Sequence, residues 1–389
     1  MKIVHLCLSS FYIDDYSYQE NMLPKYHTLQ GHDVTVLASM VTFNSKGQQD
    51  FLTEESTKIC KDNYKVIRID YKKPFYKFSR FLRIYKDLNK YLYEEKPDLL
   101  FIHDYSFLDI TVVLKYLKNN KNVKVYVDCH TDYINSAKTW LSKNIFHHII
   151  WRYYGKVLSP YVTKFYGVTP LRCDFLRDAY RISLEKTELL EMGIDDVVFE
   201  QKMKENTGER LRSKYNLGND FVIVTGGKID YLKNIHLVME AFNQVNKEIP
   251  NIKLIVFGTV NPEINDLFEK LLKESNGGII FVNWLSAEDI LDYFILADLI
   301  MFPGTHSVLW EQAVGSGTPS FFKHWDGMTH VDVGGNCRFL YKDSADEIYK
   351  ELKEVLINDK SEYKKMLENA RNKGLEKFSY NNIAKRAIS

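Results

Sequence analysis

Short runs of β-branched and aliphatic residues alternate along this chain with stretches of helical periodicity, the pattern of buried parallel strands joined by helices. The first strand is predicted over KIVHLCLS. A second, DVTVLAS at 33–39, follows a helical segment from about Tyr18 to Leu29 that ends with Gly31 in a helix-stop position. Further strands are predicted at DLLFIHD (98–104), VKVYVDCH (123–130) and KFYGVTP (164–170). From Phe221 the rhythm restarts and is cleaner, with strands FVIVTGG, IKLIVFG, IIFVNW, LIMFPG and SFFK separated by amphipathic segments such as NIHLVMEAFNQV and SAEDILDYFILAD. Ser286 followed by Asp289, and Ser344 followed by Glu347, predict N-caps with an acid at the third position. Two Rossmann-like α/β domains are the predicted architecture. The charged stretch 200–220 joins the two runs, either as a hinge or as an excursion inside the second domain.

One segment departs from this rhythm. Residues 71–97 carry eight basic and three acidic side chains, with Phe78, Phe81, Tyr85, Leu88 and Leu92 at spacings of three and four, which predicts an amphipathic basic helix. Its stripe is expected in the core. The cluster Lys72, Lys73, Phe75, Tyr76 and Lys77 also suits an anionic membrane surface.

Length supports two domains, because single cores rarely grow beyond about 250–300 residues and this chain has 389. The 52 basic and 51 acidic side chains nearly cancel, so no global field points to a nucleic-acid partner. Five scattered cysteines without a CxxC spacing disfavour a disulfide framework and a zinc site, and fit a reducing cytoplasm. The apolar start is too short for a signal peptide, and no apolar run is long enough to cross a bilayer, so a cytoplasmic protein, peripheral at most on the membrane's inner face, is expected.

In open parallel sheets ligands sit beyond the carboxyl ends of strands, so the chemistry is sought in strand-to-helix loops. The first such loop, LSSFYIDDYSYQEN, contains no glycine, which disfavours a dinucleotide-binding turn and with it a dehydrogenase. In the second half, VTGGKIDYLKN places Gly226 and Gly227 at a strand end, with Lys228 and Lys233 either positioned to neutralise a diphosphate or simply solvated after a turn. The turn Gly304–Thr305–His306–Ser307 precedes a helix start at Val308 and Leu309. Glu311 follows one turn later, as an acceptor for two sugar hydroxyls or as an acid that merely favours the helix dipole.

On the stretches GHDVTVLAS, PDLLFIHD, GGKIDYLKNIHLVMEAF, FVNWLSAEDILDYFILADLIMFPG, EQAVGSGTP and EKFSYNNIAKR, the chain resembles the retaining glycosyltransferases of family 4. That resemblance implies the GT-B fold, two Rossmann-like domains facing across a cleft. It implies an acceptor-binding domain over 1–184, a nucleotide-sugar-binding domain over 185–370, and a terminal helix over 371–389 returning toward the first domain. Lys228 and Lys233 match the family's arginine and lysine that clamp the donor diphosphate, with Gly227 beside them. Glu311 matches the glutamate that binds the ribose, Ser307 and Val308 the backbone that meets the phosphates, and Trp284 and Leu285 the strand end that meets the base, although Trp284 also fits plain core. Where the family's first glutamate belongs stands Pro303, so its contact to the donor sugar is lost or taken over by His306.

His130 matches a family histidine beside the donor sugar, with Asp132 near it. Tyr18, Glu20 and Asn21 replace a glycine-rich loop and are expected on the acceptor side, as is Asp104, next to His103. The implied chemistry is transfer from a UDP- or GDP-sugar to a hydroxyl of a glycan or lipid-linked acceptor in surface polysaccharide biosynthesis, by a same-face displacement in which the leaving phosphate takes the proton. No cofactor and no metal are expected, because the two lysines supply the neutralising charge. The alternatives are a non-catalytic sugar-nucleotide-binding protein of the same fold, or another activity of that fold such as an epimerase.

Overall fold

The computed structural model describes residues 1–44 and 48–389, which divide into two compact units. Met1–Glu191 and Ile383–Ser389 form the first, and Met192–Asn382 the second.

The first unit is built on an eight-stranded sheet in the order Thr187–Leu189, Lys164–Gly167, Lys124–Cys129, Leu99–His103, Lys2–Cys7, Asp33–Ala38, Lys65–Arg68, Ser56–Ile59. All neighbours are parallel except the last, antiparallel pair. Central strands are buried on both faces, which is why they read as unbroken apolar runs. Phe101, Tyr126 and Tyr166 stack across three adjacent strands with centroids 6.1–6.5 Å apart. The Tyr126 and Tyr166 hydroxyls donate to the carbonyls of Ser389 and Arg386, tying the last residues to this sheet.

The division corrects the expected boundaries. Residues 187–189 pair with 165–167 as the outermost strand, which carries the first unit beyond 184. The helix Lys360–Phe378 stays in the second unit, where Gly374 lies so close to the Val314 carbonyl that a Cβ would sit 2.1 Å from the oxygen. Only Ile383–Ser389 belong to the first unit, rather than everything from 371.

The second unit is a six-stranded, all-parallel sheet in the order Ile279–Val282, Ile252–Val260, Phe221–Ile229, Leu299–Phe302, Ser320–Lys323, Cys337–Leu340. The stretch 200–220 lies inside it and supplies most of the helices Asp196–Lys204 and Thr207–Lys214. Ser286 caps the helix Ala287–Leu296 as expected, its Oγ accepting from the Asp289 N–H at 3.1 Å and donating to the Asp289 carboxylate at 2.7 Å. Ser344 makes no such cap. Glu347 instead accepts from the N–H groups of Tyr341 and Lys342. At the end of the central pair Gly258 has φ +136°, and a Cβ there would lie 1.8 Å from the Gly227 carbonyl oxygen, so glycine is what lets these two strands close.

Residues 71–97 form two short helices rather than one. An antiparallel bridge joins Tyr71 to Tyr85, flanked by Lys72 N–H to the Ile84 carbonyl and Lys86 N–H to the Asp70 carbonyl. The chain therefore doubles back between Tyr76–Leu82 and Leu88–Glu95, with Arg83 and Asp87 in left-handed conformation. Tyr85, Leu88 and Leu92 are buried as expected, but Phe78 and Phe81 are 60% and 70% exposed, and Phe75 is exposed with them. No helix among the described residues is long and apolar enough to cross a membrane.

Candidate functional site

Both units place polar side chains at the carboxyl ends of their parallel strands, where such sheets bind ligands. In the second unit the turn after Phe221–Ile229 is organised by buried Asp230, whose Oδ1 accepts from the N–H groups of Leu232 and Lys233 at 3.1 Å. Lys228 projects from the end of this strand, largely exposed, with its Nζ 3.5 Å from Asp230 Oδ2.

Lys233 is partly buried. Its Nζ donates to the carbonyls of Thr305 at 2.6 Å and His306 at 3.5 Å, while Thr305 N–H bonds back to the Leu232 carbonyl. Burial lowers its pKa, against which Asp230 acts to raise it. Gly304 permits the contact, since a Cβ there would meet the Lys233 Cα at 2.4 Å. Turn 230–233 and loop 303–308 are thus one knitted piece, and the ammonium keeps a third N–H to offer.

The helix Leu309–Gly315 is two turns long, so little dipole is available at Ser307 and Val308. Glu311 in its first turn is fully buried. Its Oε1 accepts from His306 Nε2 and His330 Nε2, both at 2.8 Å, which requires each imidazole to carry its proton on Nε2. Burial alone would raise this carboxyl's pKa. The two histidines overcome that and hold it well below the usual carboxylate range. Glu311 Oε2 and His330 Nδ1 are buried without a partner, and Trp310 packs beside them on Phe322. His306 therefore faces Glu311, and His330, which no sequence pattern singled out, completes the cluster. Trp284 is 69% exposed beyond the strand Ile279–Val282, which removes its reading as core, and Leu285 beside it is partly buried.

In the first unit, His130 follows the strand Lys124–Cys129 and is partly buried. Its Nε2 lies 3.4 Å from Asp128 Oδ2 and 3.8 Å from Glu20 Oε1. Burial would lower its pKa, but the two carboxylates outweigh this and raise it to about 9. Glu20 is buried at the start of the helix Gln19–Leu29, whereas Tyr18, at its N-cap, is partly exposed. Asn21 is also buried and spends its amide on the Ile13 carbonyl. Asp104, in left-handed conformation, accepts from Thr131 Oγ1 at 2.6 Å and from the Ser106 N–H and Oγ, joining two strand-end loops. Asp132 pairs with Arg172 at 3.3 Å instead of His130.

Beneath His130 runs a buried chain that sequence reading missed. Asp128 Oδ2 meets His103 Nδ1 at 2.8 Å, His103 Nε2 meets His5 Nδ1 at 2.9 Å, His5 Nε2 meets His27 Nδ1 at 3.0 Å, and His27 Nε2 meets the Ala384 carbonyl at 2.9 Å. All four side chains are essentially inaccessible to solvent.

Two groups of three, His306, Glu311 and His330, and His103, Asp128 and His130, bring their donor atoms within 4.8 Å of one another. A cation would fit there only after displacing the imidazole protons that face the carboxylates.

Residues 23–197 match the family described as Glycosyltransferase Family 4, and residues 208–373 match Glycosyl transferases group 1. The alpha-monoglucosyldiacylglycerol synthase of Streptococcus pneumoniae is 25% identical over 277 residues, covering 66% of this chain and 59% of that protein. The lipopolysaccharide 1,2-N-acetylglucosaminetransferase of Salmonella typhimurium is 24% identical over 197 residues, covering 47% and 51%. The chain thus aligns with little more than half the length of these relatives. Among solved structures, HepE of Anabaena in complex with UDP superposes with a TM-score of 0.68 at 14% identity, covering 99% of this chain and 98% of that one. Two family matches that between them span both units, and a shared fold over nearly the whole length, place the chain among the family-4-like glycosyltransferases of the GT-B fold.

Proposed function

We propose that the protein is a retaining, metal-independent transferase that moves a sugar from a UDP- or GDP-sugar to a hydroxyl of a glycan or lipid-linked acceptor. The observation that carries this reading is the cationic pair Lys228 and Lys233 at a strand's carboxyl end, with Lys233 stitched to the loop that leads into Glu311. Two ammonium groups there stabilise charge that grows on a departing diphosphate, which is electrostatic catalysis and needs no side-chain nucleophile. Glu311 Oε2 has no partner but is fully buried, so it reaches ribose hydroxyls only if loop 303–308 opens, and the exposed indole of Trp284 is a surface for the base. HepE, which shares the fold, was solved with UDP, and that favours UDP.

Thermal-shift titration with UDP, GDP and their sugars tests the binding. A stabilisation by UDP or GDP that Lys228→Ala weakens supports the pair, and no stabilisation by either nucleotide sinks it. Retention is read by NMR of the product's anomeric proton, where an inverted linkage refutes the same-face displacement. Metal independence predicts unchanged transfer after exhaustive EDTA treatment, whereas activity lost to EDTA and restored by one divalent cation contradicts it.

The acceptor side of the reading includes an anionic membrane surface, and the fold gives it more substance than residues 71–97 alone. Phe81 and Phe146 rings lie 6.3 Å apart, so the helix Tyr76–Leu82 and the helical stretch Ser142–Leu158 are neighbours. Trp140, Leu141, Ile149 and Tyr153 are exposed, as are Phe75, Phe78 and Phe81. Residues 71–83 and 138–158 contain Lys72, Lys73, Lys77, Arg80, Arg83, Lys138, Lys143, Arg152 and Lys156, and no acid at all. Exposed aromatics among cations suit anionic phospholipid headgroups. Two relatives are named for a diacylglycerol glycolipid and for lipopolysaccharide, which fits an acceptor presented at a membrane. Flotation with vesicles of rising phosphatidylglycerol content is expected to show rising binding, reduced about tenfold or more in Phe78→Ser/Phe81→Ser. Binding indifferent to anionic lipid removes the idea.

A further inference from the structure

The chain from Asp128 to Ala384 has a fixed proton requirement. Each of its four contacts joins two atoms at 2.8–3.0 Å, and each needs one hydrogen between them, since two lone pairs or two N–H groups facing one another at that distance repel. Both ends are oxygens of a carboxylate and a backbone carbonyl, which only accept. Four protons are needed, and three neutral imidazoles carry three.

We infer that Asp128, His103, His5 and His27 hold one excess proton, carried on His103 as an imidazolium, and that this chain positions the Asp128 carboxylate beneath His130. The assignment satisfies every contact in one direction. His103 donates from Nδ1 to Asp128 and from Nε2 to His5 Nδ1. His5, protonated on Nε2, donates to His27 Nδ1, and His27, protonated on Nε2, donates to the Ala384 carbonyl. The four side chains then sum to zero charge, as their complete burial demands.

Burial lowers the pKa of His5, and that of His27 to about 3, so both stay neutral and the proton belongs next to the carboxylate. The other groups facing the chain are Gln19 and Glu20 from the helix start, Cys7 and Cys129 from two strands, His130, Arg172, and His32 beside His27. Burial pushes both thiols up, so neither supplies charge. The rings also lie against Phe101, which offers no alternative partner.

The consequence reaches His130. With His103 charged, the Asp128 carboxylate is shared between His103 and His130. Removing His27 removes the need for the fourth proton and leaves Asp128 without the His103 charge, with His130 Nε2, 3.4 Å away, as its remaining cationic neighbour. His27→Phe does this, whereas His27→Gln keeps one acceptor and one donor at that place.

The test is long-range ¹H–¹⁵N NMR of the full-length protein with ¹⁵N-histidine, assigned by single replacements. At about pH 8, above the ordinary histidine value near 6.5, the wild type is expected to show His103 protonated on both nitrogens, with His5 and His27 as neutral Nε2–H tautomers. In His27→Phe, His103 is expected to become neutral and the His130 titration to move up by about one pH unit, and His27→Gln is expected to behave as the wild type. Three neutral imidazoles in the wild type, the extra proton found on Asp128, or a His103 unchanged by His27→Phe would overturn the inference. The wild-type spectrum decides even if a variant fails to fold. No activity is read, so the result stands apart from the proposed transfer reaction, on which only the importance of His130 to that reaction rests.

Discussion

Replacing Lys233 by alanine is expected to lower kcat/KM for sugar transfer about a hundredfold to a thousandfold, the range seen when one preorganised donor to a developing anion is removed. Two effects combine at this residue. The ammonium is partly withdrawn from water, so its charge acts on a diphosphate through a poorer dielectric than the largely exposed Lys228 can. It also fixes the Thr305 and His306 carbonyls, so its loss frees the loop that leads to Glu311. Lys228→Ala, screened by solvent and salt, is expected to cost roughly tenfold. Steady-state kinetics on both variants checks the ranking. Equal and small losses would mean that Lys233 is only a loop staple.

The second large effect belongs to Glu311. Its removal in Glu311→Ala leaves two imidazole donors facing a buried cavity, and breaking a buried ionic cluster costs about 3–5 kcal/mol. For a unit of this size that corresponds to a fall in Tm of roughly 6 °C or more, measured by calorimetry. Glu311→Gln keeps an acceptor oxygen for His306 and His330, and should recover much of the stability while losing about tenfold or more in nucleotide affinity, because the charged acceptor for ribose is gone. If Glu311→Gln binds UDP as tightly as the wild type, the acid serves the fold alone.

The alternation of apolar runs placed five of the eight strands of the first sheet and five of the six of the second, because strands buried on both faces leave no polar positions to blur the pattern. The short outer strands Ser56–Ile59, Lys65–Arg68, Thr187–Leu189 and Cys337–Leu340 were missed. The strand-end residues followed from the topology, and Lys233, His306 and Glu311 do come together in one knitted piece. His330 escaped because it lies in an irregular loop 19 residues from its partner, with no periodicity to announce it. The histidine chain escaped for a related reason. His5, His27 and His103 are far apart in sequence and each reads alone as an ordinary core or edge histidine. Only the parallel register of the strands Lys2–Cys7 and Leu99–His103, with the helix Gln19–Leu29 packed on them, lines their rings up. The broken helix at 71–97 failed on a different competition, in which the backbone bridge between Tyr71 and Tyr85 outweighed a helical apolar stripe.

The terminal segment that completes the first unit has a consequence for biogenesis. Glu191, Tyr126, Tyr166 and His27 all find partners among residues 384–389. Those residues leave the ribosome after the whole of Met192–Asn382. The half of the molecule that is translated first is therefore the half whose interior is sealed last, and until then a nascent chain carries an unfinished groove for chaperones to guard.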